Sequence, residues 1–64
     1  MPVTKEQFLQ VFANLPLGVR KEIILVVDSQ PITWNVANLE VSENTKLGKQ
    51  ILIKLEKLGI IKGN

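Results

Sequence analysis

From Asn44 to Asn64 the chain reads NTKLGKQILIKLEKLGIIKGN, and its leucines and isoleucines recur at the spacing of one helix face. Advancing roughly 100° per residue from Leu47, the residues Leu47, Ile51, Leu52, Leu55 and Leu58 fall within an arc of roughly 140°. This predicts an amphipathic helix over about Lys46–Leu58, whose apolar stripe has to be covered by the rest of the chain. Gly48 lies inside the stripe. A glycine there costs about 1 kcal/mol of helix propensity relative to alanine, and close approach of a neighbouring helix is the expected compensation. Asn44 or Thr45 can cap the start, and Gly59 is placed as the stop. Ile60 and Ile61 follow, then an expected frayed tail, Lys62-Gly63-Asn64. Lys46, Lys49, Gln50, Lys54 and Lys57 occupy the opposite half, with Glu56 at its edge. Ile53 projects into the middle of that basic half. One exposed isoleucine is ordinary, but this position also suits contact with a partner chain or with a thymine methyl.

Whatever covers the stripe must do so by packing alone. The chain has 64 residues, which makes one domain. A domain of that size buries only about 60% of its unfolded surface. It contains no Cys and no His, so neither a disulfide nor an ordinary zinc or iron site is available, and no cofactor is expected. Hydrophobic residues make up 45% of the chain. That richness fits a dense core or a homodimer interface, and both stay open. The longest uncharged apolar run, Ile23 to Val27, falls far short of the about 20 residues of a membrane span, so no membrane partner is expected. No signal-peptide pattern is present, and a cytoplasmic protein is the default expectation.

Upstream, Thr4-Lys5-Glu6-Gln7 has the form of a capping box. Phe8, Val11 and Phe12 follow at helical spacing, which predicts a helix over about Lys5–Ala13, ended by Asn14 and Leu15-Pro16. Val19, Ile23, Val26, Val27 and Gln30 then favour a second helix over about Leu17–Asp28. A strand competes for the same residues. Ile23-Ile24-Leu25-Val26-Val27 is rich in β-branched side chains, and Asp28-Ser29-Gln30-Pro31 suits a hairpin turn. Pro31 to Thr33 reads as an extended link, with Thr33 as N-cap of a short helix over about Trp34–Glu40. Ser42 to Thr45 reads as a turn. Trp34 shares a stripe with Ala37 and Val41 and is expected in the core, met by Phe8 and Phe12. The favoured fold is therefore all-α, four short helices in a single domain. The alternative is α+β, with a β-hairpin at about residues 22–36.

Catalytic equipment is missing. Without Cys or His, the usual activated nucleophiles are excluded, and Ser29 and Ser42 have no histidine to activate them. No Gly-rich phosphate loop is present. Among the six carboxylates, Glu40 and Glu43 are spaced three apart, but a turn is expected between them. A domain this small has little volume for a substrate pocket, so neither an enzyme nor a small-molecule substrate is expected.

Charge is divided unevenly. Residues 1–41 hold three cations and four anions, whereas residues 42–64 hold five lysines and two glutamates. With this in view, Pro31 to Ile61 resemble the helix-turn-helix core of winged-helix domains. The pieces are an Arg20–Asp28 helix, the link Pro31-Ile32-Thr33, a helix from Trp34 to Glu40, a turn from Val41 to Thr45, and a last helix from Lys46 to Leu58. The exit Leu55-Glu56-Lys57-Leu58-Gly59-Ile60-Ile61 is the closest match. The resemblance implies a wingless, trihelical unit with an added N-terminal helix, whose last helix approaches the major groove of double-stranded DNA. It implies phosphate contacts from Asn44, Thr45, Lys46, Lys49, Lys54 and Lys57, and a base edge read by Gln50. The alternative is a protein-interaction or homodimer module centred on Ile53. It is motivated by the apolar content and by the absence of arginine from the last helix.

Overall fold

The computed structural model describes residues 3–61. The tail expected at Lys62–Asn64 lies outside the described residues. In order, the chain forms α1 (Lys5–Ala13), a short 3-10 turn (Val19–Lys21), β1 (Ile23–Val27), β2 (Gln30–Thr33), α2 (Trp34–Ser42) and α3 (Lys46–Lys57).

The all-α expectation is overturned: the fold is α+β, three helices and a two-stranded antiparallel hairpin. No helix runs from Leu17 to Asp28. The residues 23–27 of that segment are strand instead, paired Val27 with Gln30, Val26 with Pro31 and Leu25 with Ile32. The physical reason lies in the run of five consecutive aliphatic residues. On a helix they would face every direction, and no single surface could cover them. On a strand they alternate, and Leu25 and Val27 enter the core while Val26 faces outward. The two-residue loop completes the argument. Asp28 and Ser29 adopt φ of 49° and 68°, the paired left-handed conformation of a type I′ turn, whose twist matches the flanking strands. Beyond Leu25 the register slips, so that Ile23 pairs with Thr33 and Ile24 is the extra residue of a bulge. The bulge leaves Ile23 facing solvent.

The helices outside this segment form where their local signals place them. Thr4 and Gln7 make the reciprocal capping box: the Thr4 Oγ1 accepts from the Gln7 amide at 3.2 Å, and the Gln7 Oε1 accepts from the Thr4 amide at 2.8 Å. Thr33 caps α2 by accepting from the Val36 amide at 3.1 Å. That helix runs on to Ser42, past the expected end at Glu40. α3 closes at Lys57, with Leu58 as its C-cap and Gly59 at φ 71°. The amide of Ile60 donates to the carbonyl of Leu55, and that of Gly59 to Glu56, the two bonds of a Schellman motif.

The core lies where the hairpin and the three helices meet. It is built from Val3, Phe8, Leu25, Val27, Ile32, Trp34, Ala37, Val41, Ile51, Leu55 and Ile61. Trp34 is buried, as expected, and stacks on Phe8 with ring centroids 5.9 Å apart; Phe12 also stacks on Phe8, at 6.3 Å. Arg20, expected to open a helix, has a different place. Its guanidinium lies 4.4 Å over the Phe12 ring and donates to the carbonyl of Phe12 at 3.1 Å. It thereby supplies the positive charge that the end of α1 lacks in its own last turn.

Candidate functional site

The outward face of α3 is set by the corner that joins it to α2. Asn44 takes a left-handed φ of 56°. The amide of Thr45 donates back to the carbonyl of Glu40 and that of Asn44 to Val41, a second Schellman motif, with asparagine where glycine is commoner. Thr45 then caps α3. Its hydroxyl accepts from the Gly48 amide at 3.0 Å and lies 2.6 Å from the Glu40 carboxylate, to which it donates. Gly48 lies against the backbone of α2: a Cβ there would sit 2.7 Å from the Glu40 carbonyl carbon and 3.0 Å from the Val41 Cα. The close approach expected from the sequence is therefore present. Gly48, Ile51 and Leu55 face the core, which turns the opposite side of the helix to solvent.

That opposite side carries Lys46, Lys49, Gln50, Ile53, Lys54 and Lys57, all exposed. Ile53 is 49% exposed and sits opposite the buried stripe. Gln50, Ile53, Lys54 and Lys57 line a shallow depression of about 160 Å³, below the roughly 300–1,000 Å³ of a typical small-molecule pocket. Lys54 is not free: its ammonium donates to the carbonyl of Val26 on β1 at 2.8 Å, tying the face to the hairpin.

Of the residues that the helix-turn-helix resemblance implied, the lysines and Gln50 share this one face. Asn44 and Thr45 sit at its N-terminal corner, and the Thr45 hydroxyl is engaged by Gly48 and Glu40. The first helix of the implied trihelical unit is absent, because residues 23–27 are strand. Leu58, expected on the buried arc, is 58% exposed. Gly59 reverses the chain just beyond it, and Ile61 enters the core instead. Sequence reasoning missed the bond from Lys54 to Val26, which no local spacing announces because 28 residues separate them. It also missed the tether from the Lys5 ammonium to the Ser42 carbonyl at 3.1 Å, between the start of α1 and the end of α2. Among the described residues, no cluster of acidic side chains could hold a metal ion, and no helix is long and apolar enough to cross a membrane. No family model, curated protein or solved structure matches the chain.

Proposed function

We propose that this domain is a non-catalytic protein-interaction module, and that the outer face of α3 docks an acidic segment of another protein. The observation that carries this reading is the half-exposed Ile53, which shares a shallow depression with Gln50, Lys54 and Lys57. An apolar centre with a polar rim is the anatomy of a protein interface. Carboxylates on the partner would meet the lysines, and an apolar side chain would cover Ile53. A second copy of the same face fits poorly, because it would set two groups of lysines against each other.

The lysine face also supports a second reading, double-stranded DNA. Lys46, Lys49 and Lys57 are exposed on one side of one helix, the placement that phosphate contacts need. The two readings separate by affinity. A labelled amphipathic peptide of alternating glutamate and leucine content and a labelled mixed-sequence duplex are each titrated with the protein. Ile53→Ser should weaken peptide binding by about tenfold, in the range of an interface anchor. Replacing Lys46, Lys49 and Lys57 by alanine should flatten its salt dependence. Peptide binding indifferent to Ile53→Ser would reject the protein-interaction reading. Duplex binding whose log affinity falls with log salt, with a slope flattened in the lysine variant, would favour DNA in its place.

A further inference from the structure

The shallow depression on α3 has a one-sided chemistry. Gln50, Ile53, Lys54 and Lys57 line it, and their spacing of i, i+3, i+4 and i+7 sets them along one side of the helix. The lining is two ammonium groups, one amide and one aliphatic side chain, with no carboxylate among them. Like charges bordering one hollow repel each other, and an anion seated between them removes that cost. At about 160 Å³ the hollow is too small for a typical small-molecule ligand. It suits a single side chain of a docked protein.

Lys54 differs from the other lysines of this face in being held. Its ammonium donates to the Val26 carbonyl at 2.8 Å, which uses one of the three N–H groups such a side chain carries and leaves the others for a ligand. A side chain fixed in advance loses less entropy when an anion meets it. Ile53, half-exposed beside it, decides which kind of anion fits. A nucleic-acid phosphate sits on a polar sugar–phosphate chain and has no aliphatic stem to lay on Ile53. Glutamate carries its carboxylate on two methylenes, and aspartate on one.

We infer that the depression receives a glutamate side chain of the docked partner, with its methylenes against Ile53 and its carboxylate between Gln50, Lys54 and Lys57. The inference rests on the protein-interaction reading and makes it more specific. Lys54 and Lys57 hold the anchoring carboxylate, whereas Lys46 and Lys49, which do not line the depression, add only general attraction.

Binding of the labelled glutamate–leucine peptide is measured for the unaltered chain, Lys54→Met, Lys57→Met, Lys46→Met and Ile53→Ser, and again with every glutamate of the peptide replaced by aspartate. Lys54→Met and Lys57→Met should each weaken the glutamate peptide about tenfold. Lys46→Met, an equal loss of charge outside the depression, should weaken it no more than about threefold. The aspartate peptide should bind the unaltered chain about threefold less well than the glutamate peptide, and Ile53→Ser should erase that difference. Equal losses for Lys46→Met, Lys54→Met and Lys57→Met would overturn the inference, as would a preference for glutamate that survives Ile53→Ser. In either case, weaker binding of the glutamate peptide to Ile53→Ser would still support the docking reading, so the two fail separately. Absence of peptide binding, or tighter binding of the mixed-sequence duplex than of the peptide, would overturn both.

Discussion

Gly48 shows how one residue can govern the placement of an entire face. The backbone of α2 at Glu40 and Val41 occupies the space a side chain would need, so α3 can lie this close only with glycine at that point. Gly48→Ala gains about 1 kcal/mol in helix propensity, yet the Cβ would press on main chain that cannot swing away, an overpacking cost of about 1–3 kcal/mol. Net destabilisation is expected, read as a lower urea midpoint with an unchanged slope. Thr45 makes a second, independent contribution at the same corner. Thr45→Ala removes the cap on Gly48 and the partner of Glu40, and should cost about 1 kcal/mol. Ile53 provides the contrast. It is half-exposed and faces away from the core, so Ile53→Ser should move stability by no more than about 0.5 kcal/mol. A larger loss in a thermal or urea melt would mean that Ile53 supports the fold rather than presenting a contact.

At the scale of the elements, the hairpin is the part that departs from expectation, and its turn can be tested directly. Asp28 and Ser29 both hold positive φ, a conformation asparagine and glycine adopt more readily. The double change Asp28→Asn with Ser29→Gly should stabilise the domain by about 0.5–1 kcal/mol, because relief of the left-handed strain outweighs the entropy glycine adds to the unfolded chain. A higher urea midpoint is the expected result, and a lower one would contradict the type I′ turn. The helices were legible in the sequence for local reasons. Thr4 with Gln7, Thr33, Thr45 and Gly59 each act within a few residues of themselves, and each is found in the role its type suggests. The strand was legible only as the competing reading, because what decides it is pairing across a turn rather than a signal within the run itself. Helical spacing of Val19, Ile23, Val26 and Val27 is a weak signal in a run where nearly every residue is apolar. Only the pairing of Leu25 with Ile32 and the burial of both settle the matter. The candidate site was legible to the same degree. Periodicity alone placed Ile53 among the lysines, whereas the bond from Lys54 to Val26 depends on how α3 docks beside β1.

At the scale of the whole molecule, function has to be carried by surface, because the interior is filled by packing. The core is apolar, with no buried polar or charged residue among those described. The outer face of α3 joins a helix rim of lysines to the edge of a hairpin, with Ile53 as the apolar point between them. On the reading proposed above, this face is the one that meets a partner. The most direct test is an amide chemical-shift map of the labelled protein titrated with the glutamate–leucine peptide. The account predicts perturbations concentrated at Lys49, Gln50, Ile53, Lys54 and Lys57, with Val26 responding through its bond to Lys54. Perturbations gathered elsewhere, or none at millimolar peptide, would contradict it.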